Sequence, residues 1–171
     1  MREVWPRFKP EIFLDPGFPY PGELAYGYRK GLIDVQLLVK VIDGLARSGV
    51  PLVPEESGMA LLLSDEVDQM RELALQLCRY EHDDAGEVWQ YYFAVVAANG
   101  IRGSIEKFEI LDSMWADLGY PEGMTQIIYP QEGLPAHLYP ILGERALSEF
   151  IAGWGNVLRQ RDPRGRLRVG A

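Results

Sequence analysis

Apolar residues recur at helical spacing along most of this chain, and this period limits the fold more than any other feature. An apolar side chain that returns every three or four residues places a stripe on one face of an α-helix, and that face packs on a core. Three segments carry a clear stripe: Val35, Leu38, Val41, Ile42 and Leu45; Val67, Met70, Leu73, Ala74, Leu77 and Cys78; and Leu147, Phe150, Ile151, Trp154, Val157 and Leu158. The pattern predicts a mainly α fold.

Capping residues and glycines predict where these helices begin and end. Asp34 lies in front of the first stripe as an N-cap, and Gly49 follows it as a stop signal. Ser64 is predicted as the N-cap of the second helix, with Asp65 and Glu66 in a first turn where the helix dipole favours negative charge.

Length and composition limit the number of domains. A chain of 171 residues that is 47% apolar can bury about 70% of its unfolded surface in one domain. We therefore predict a single-domain irregular bundle of six or seven helices over residues 1–160. Residues 88–93 remain open as helix or strand, because their aromatic run shows no clear period.

Residues 1–21 predict an extended arm. Five prolines alternate there with five aromatic residues, and proline lacks a backbone donor and disfavours the α region for the residue before it. Two interpretations follow: the aromatic side chains pack over the helical body, or they form a polyproline-II-like contact surface for a partner.

The net charge is concentrated in residues 55–87, the acidic segment. It holds ten carboxylates and two arginines, a local net charge of −8, whereas the rest of the chain is balanced. Such a potential repels nucleic acid and anionic membranes and attracts basic proteins or divalent cations. We expect a basic protein partner, no nucleic acid and no membrane.

Residues 81–87, the acidic loop, are the candidate site within this segment. The loop carries several carboxylates, and the aromatic residues that follow it are of the kind that anchor interfaces when they are exposed. The predicted partner-binding residues are Glu81, Asp83, Asp84, Glu87, Trp89 and Tyr91.

The same loop supports a second interpretation as a metal site. His82, Asp83, Asp84 and Glu87 combine an imidazole with carboxylates that suit Mg²⁺, Ca²⁺ or Mn²⁺, and would make the chain a metal-dependent hydrolase. Their spacing matches neither an EF-hand nor a His-Glu-x-x-His helix. We otherwise predict no cofactor.

Sequence signatures of catalysis and of membrane insertion are missing. The chain contains neither a Gly-x-Ser-x-Gly motif nor a phosphate-binding glycine loop, so we predict that it is not an enzyme. Its one cysteine, Cys78, favours a reducing cytoplasm, and burial near carboxylates should raise the pKa of this thiol. No apolar run approaches the roughly 20 residues of a membrane span.

Residues 161–171 predict a basic tail. From Arg159 onward the chain holds five arginines and one acid. These arginines could dock on the acidic segment of the same chain or of a neighbour, which leaves a homodimer or a structural homo-oligomeric scaffold as an alternative.

Two stretches carry a resemblance to known proteins. Residues 26–33 read Tyr-Gly-Tyr-Arg-Lys-Gly-Leu-Ile, and residues 115–124 read Trp-Ala-Asp-Leu-Gly-Tyr-Pro-Glu-Gly-Met. Over about residues 22–130 the chain resembles small bacterial proteins of an uncharacterised, domain-of-unknown-function type. Some such families are found as immunity proteins beside polymorphic toxins. The resemblance implies a protein-binding function and carries over no functional residue. The acidic segment and the missing catalytic motifs extend this to our leading prediction, a cytoplasmic protein-binding module that acts as an immunity protein by occluding the basic active site of a toxin.

Overall fold

The computed structural model describes residues 5–15, 17–129, 133–162 and 164. These residues contain no strand and nine α-helices, more than the six or seven predicted, because several short helices lack a sequence stripe. The α-helices are α1 Pro10–Leu14, α2 Pro21–Arg29, α3 Val35–Arg47, α4 Pro54–Leu61, α5 Val67–Gln76, α6 Glu87–Gly100, α7 Ser104–Asp117, α8 Thr125–Ile128 and α9 Tyr139–Gln160. Short 3-10 segments cover Leu77–Tyr80, Glu122–Met124 and Ala136–Leu138. The mainly α class is confirmed.

Residues 88–93, left open as helix or strand, lie within α6 and are helical. None of the helices in the described ranges is long and apolar enough to cross a membrane.

The predicted extended arm is wrong in part, because it contains α1. Pro10 occupies the first turn of this helix, where a missing backbone donor costs little and the fixed φ of proline suits the helix. Phe13 on α1 is fully buried, and Trp5 lies edge-on against Phe93 with ring centroids 5.5 Å apart. These contacts support the packing interpretation of the arm. Residues 1–4 and Pro16 lie outside the described residues.

The chain divides into two compact units. The first contains Lys9–Trp89 together with the described residues from Leu158 onward. In it, α1 packs on α3, α3 packs on α4 and α5, and α2 packs on the 3-10 segment Leu77–Tyr80. Its fully buried apolar side chains are Phe13, Leu24, Ala25, Leu38, Val41, Ile42, Leu45, Met59, Ala74, Leu77, Ala85 and Trp89.

The second unit contains Trp5–Phe8 and Gln90–Val157. Helices α7 and α9 approach closely within it, since a Cβ on Gly143 would lie 2.6 Å from the Phe108 ring. Lys107 Nζ lies 2.7 Å from Glu144 Oε1 beside that contact. The most buried side chains of this unit are Tyr92, Phe93, Ala94, Ala97, Leu111, Met114, Met124, Ile127 and Leu147.

Three helices end in the same motif. Gly31, Gly49 and Gly119 follow α2, α3 and α7 with φ of 67°, 72° and 77°, a left-handed conformation that glycine adopts without steric cost. The residue after each glycine donates its backbone N–H to a carbonyl in the last turn, for instance Tyr120 N to Trp115 O at 3.0 Å. The predicted stop at Gly49 is confirmed.

Of the two predicted N-caps, Asp34 is confirmed and Ser64 is wrong. Asp34 caps α3 as expected, because its Oδ1 accepts from Leu37 N at 2.8 Å. The prediction for Ser64 is wrong, since α5 begins at Val67. Glu66 Oε2 accepts from Leu63 N at 2.6 Å, and this bond holds a turn in front of the helix.

Close contact between α2 and Trp89 predicts a size limit at Gly27. A Cβ on Gly27 would lie 2.0 Å from Trp89 Cζ2, and Trp89 is fixed because its Nε1 donates to Glu23 O at 3.0 Å. We expect Gly27→Ala to lower the free energy of unfolding by about 2 kcal/mol or more, measured in urea. Gly153→Ala on α9 is the matched control, because its Cβ would meet open space and the change should be neutral or stabilising by up to about 1 kcal/mol. Equal effects would contradict the packing argument.

Candidate functional site

A shallow groove of about 560 Å³ lies in the first unit beside the acidic loop. Its walls come from the end of α2, from the 3-10 segment and from the loop itself. The lining residues are Tyr26, Arg29, Lys30, Cys78, Glu81, His82 and Asp83. The groove therefore carries both cations and carboxylates, together with one thiol.

An ion pair closes one side of this groove. Arg29 donates from Nε to Glu81 Oε2 at 3.0 Å and from a terminal guanidinium nitrogen to Glu81 Oε1. The guanidinium carbon of Arg29 lies 5.6 Å from the centre of the Tyr26 ring. The hydrogen bond to Glu81 raises the pKa of Arg29. Glu81, a predicted partner-binding residue, is thus already engaged within the chain.

Cys78 is half-buried in the same groove. Burial raises the pKa of its thiol, and the Glu81 carboxylate raises it further. The expected direction of this shift is confirmed. Because the thiolate is the reactive form, Cys78 is a poor nucleophile at neutral pH.

Two further glutamates of the acidic segment are paired inside the unit. Glu55 is 6% exposed; Arg79 lies 2.7 Å from its Oε1, and the Tyr80 hydroxyl donates to its Oε2 at 2.8 Å. Glu56 is fully buried. Its Oε2 accepts from Arg164 at 2.5 Å, while its Oε1 accepts from Val53 N at 3.1 Å.

Arg164 joins three segments of the chain through this pair. Besides Glu56, it donates from Nε to Pro19 O at 2.6 Å and from a terminal nitrogen to Pro51 O at 2.7 Å. Every nitrogen of the buried guanidinium therefore has a partner, as a buried charge requires. Docking of the tail's arginines on the chain's own acidic residues is confirmed at Arg164.

A second clamp, in which one arginine binds a buried glutamate and a backbone carbonyl, joins the half-buried Arg161 to Glu23. Arg161 donates to both carboxylate oxygens, at 2.7 and 2.9 Å, and to Phe18 O at 2.8 Å. Its guanidinium carbon lies 3.9 Å from the centre of the Tyr20 ring. The sequence signal for these ion pairs was an arginine-rich tail in a chain with many acidic residues. Which glutamate each arginine binds depends on the tertiary fold. Residues 163 and 165–171 of the tail lie outside the described residues.

The carboxylates of Asp83, Asp84 and Glu87 remain exposed, as does the His82 imidazole. Among the described residues, none of the three carboxylates forms an ion pair. No three His, Cys, Asp or Glu side chains in the described part of the chain are placed to hold a metal ion. The structure therefore adds no geometric support for the metal interpretation of His82, Asp83, Asp84 and Glu87, which stays a prediction.

The prediction that Trp89 and Tyr91 bind a partner is corrected by the structure, in which both rings are buried. Trp89 is 0% exposed and Tyr91 is 6% exposed, because the helix that follows the loop turns these rings inward. Trp89 packs against Phe13 with ring centroids 5.5 Å apart. Neither ring can anchor a partner while the helix stays packed.

The fold and this site define an all-helical protein with internally paired glutamates and an exposed acidic loop. The chain belongs to the family described as "uncharacterized protein conserved in bacteria" (DUF2247), whose model matches residues 17–160. The predicted resemblance is confirmed at the level of an uncharacterised bacterial family, over a longer span than residues 22–130. Neither a curated protein nor a solved structure matches the chain.

The buried clamp predicts a large effect of removing Arg164. Arg164→Met leaves the buried Glu56 carboxylate without its cation, which should cost about 3–5 kcal/mol of unfolding free energy in urea. Adding Glu56→Gln removes the stranded charge and keeps an acceptor for Val53 N, so the double variant should recover at least about 1 kcal/mol. Arg145→Ala, in an exposed pair with Glu149, is the control and should cost less than about 1 kcal/mol. A loss in Arg164→Met no larger than in this control would contradict the clamp.

Cys78 offers a test of the groove's electrostatics. In the folded protein, alkylation by iodoacetamide should reach half its maximal rate at a higher pH than in the urea-unfolded chain, because burial and Glu81 raise the thiol pKa. Glu81→Gln should move the native midpoint to lower pH, since it removes a nearby negative charge and leaves Arg29 close by. Glu72→Gln, at an exposed position on α5, serves as the control, and an equal shift there would contradict the assignment.

Proposed function

We propose that this chain is a bacterial protein-binding module that takes a basic partner on its acidic loop, and that it acts as an immunity protein by covering a toxin's basic active site. The resemblance of residues 26–33 and 115–124 to families that include immunity proteins supports the choice of a toxin as partner.

One observation carries this proposal: the acidic segment divides its carboxylates into two populations. Glu55, Glu56 and Glu81 are buried or half-buried and are held by Arg79, Arg164 and Arg29. Asp83, Asp84 and Glu87 in the loop, like Asp65 and Glu72 outside it, are exposed and form no ion pair among the described residues. Charge that is needed for the fold is thus neutralised within the chain, and the loop keeps negative charge that a cationic partner can use.

Electrostatic attraction between a partner and the loop has a defined physical consequence. Opposite potentials on two proteins steer their encounter and raise the association rate by about 10- to 1000-fold at low salt. Screening shortens the range of this attraction to about 10 Å at 0.1 M ionic strength and about 3 Å at 1 M. Binding through the loop should therefore weaken strongly with salt, mainly through a slower association rate.

The experiment measures binding to the product of the gene adjacent to the one that encodes this chain, by calorimetry and by surface binding kinetics. We expect a one-to-one complex whose affinity falls as sodium chloride rises from 50 to 500 mM. The triple variant Asp83→Lys, Asp84→Lys, Glu87→Lys should weaken binding about tenfold or more at 50 mM salt, chiefly through the association rate.

A control variant separates the loop from the net charge of the chain. Asp65→Lys, Asp68→Lys, Glu72→Lys makes the same charge change at exposed positions outside the loop, and should weaken binding far less. Thermal unfolding of both variants checks that the fold is kept. Retained affinity in the loop variant, or equal losses in both, would contradict the proposal, as would the absence of any complex with the neighbouring gene product.

A further inference from the structure

The second unit exposes a cluster of three aromatic rings, Trp115, Tyr120 and Tyr129, which we call the aromatic cluster. Tyr120 and Tyr129 are 61% and 60% exposed, and Trp115 is half-buried. The Trp115 and Tyr120 ring centroids lie 5.0 Å apart at 87°, and those of Trp115 and Tyr129 lie 5.9 Å apart at 63°. Exposed tyrosine and tryptophan are the residue types that dominate binding energy at protein interfaces.

The turn that carries Tyr120 is held by its backbone conformation and by one hydrogen bond from Trp115. Tyr120 follows the end of α7 with a φ of 58°, a left-handed conformation that is unfavourable for a non-glycine residue. Trp115 Nε1 donates to Pro121 O at 2.8 Å and so ties the turn to the helix. The backbone of this turn and the Trp115 ring are thus held before a partner arrives, which lowers the entropy cost of binding.

Charge around the aromatic cluster favours a cation. Residues 111–129 include the exposed carboxylates of Asp112 and Glu122, and contain no lysine, arginine or histidine. The faces of aromatic rings attract cations as well. An electron-rich surface among carboxylates therefore fits a positively charged group better than a neutral or anionic one.

The chain's own arginines indicate which cation fits. Arg29, Arg79 and Arg161 each lie over a tyrosine ring, at 5.6, 4.8 and 3.9 Å from its centroid, and each pairs with a glutamate. Lys30 Nζ also lies over a tyrosine ring, but farther away, at 5.8 Å from the Tyr26 centroid. A guanidinium can stack on a ring and use its N–H groups on a carboxylate at once, whereas an ammonium is a compact point charge.

We propose that the aromatic cluster is a docking surface for an arginine-bearing segment of a protein partner, whose guanidinium stacks on the exposed tyrosines while its N–H groups reach the neighbouring carboxylates. This surface involves none of the acidic-loop residues, so the inference goes beyond the function proposed above and does not rest on it.

The test uses the full chain and a decapeptide of alternating arginine and glycine, titrated by calorimetry in 150 mM sodium chloride. Matched peptides carry lysine or the neutral isostere citrulline in place of arginine. The arginine peptide should bind about tenfold more tightly than the citrulline peptide, and measurably more tightly than the lysine peptide. The double variant Tyr120→Ala, Tyr129→Ala should weaken arginine-peptide binding about tenfold.

Two control variants decide where the peptide binds. Ile105→Ala, Ile141→Ala removes apolar side chains of the same unit that are 70% and 64% exposed, and binding should change less than twofold. Asp65→Lys, Asp68→Lys, Glu72→Lys changes the charge of the chain by the same amount at exposed positions outside both the acidic loop and the aromatic cluster, and should also leave peptide binding within twofold. Equal affinity for the arginine and citrulline peptides, or retained affinity in the folded double tyrosine variant, would overturn the proposal.

Discussion

The first unit depends on the buried pair between Arg164 and Glu56. Glu56 has no exposed surface, and its charge would be costly there without a cation and hydrogen bonds. Arg164 supplies the cation, and its other N–H groups donate to Pro19 O and Pro51 O. One side chain thus links the C-terminal segment to Pro19 and to residues 51–56. A buried pair adds little stability over an apolar pair of the same shape, but a broken one is strongly unfavourable. We therefore expect the clamp to act mainly on specificity, because alternative placements of the C-terminal segment would leave the Glu56 carboxylate without a cation.

The need to pair buried carboxylates divides the acidic segment into residues with different roles. Taken as sequence, residues 55–87 form one block of charge. In the structure, Glu55 and Glu56 belong to the interior of the unit and Glu81 to an ion pair in the groove, while Asp83, Asp84 and Glu87 lie in solvent. The difference arises because a charged side chain is buried only where a partner of opposite charge is available, and such partners come from elements far along the chain.

Local signals predicted the striped helices well and the tertiary contacts poorly. The stripes and caps placed α3 and the mainly α class correctly, because helix periodicity and capping depend on neighbouring residues. They missed α1, since five prolines suggested an extended arm although Pro10 is tolerated in a first helical turn. They also left Trp89 and Tyr91 as exposed anchors, although both are buried. Burial of a ring depends on which elements pack over it, and no signal within residues 87–91 carries that information. Charge composition indicated docking of the tail on acidic residues, but not that Glu23 and Glu56 would receive it.

Three arginines of the chain share one arrangement, a guanidinium over a tyrosine ring with a glutamate at its edge. The two parts of this arrangement act over different distances. Carboxylates attract a cation over roughly a Debye length and affect the association rate, whereas ring contact and directed hydrogen bonds act only after docking and affect the dissociation rate. The acidic loop presents carboxylates without exposed rings, because Trp89 and Tyr91 face inward. The aromatic cluster presents rings and carboxylates together. The loop is therefore suited to attracting a basic protein, and the aromatic cluster is suited to retaining arginine side chains once they make contact.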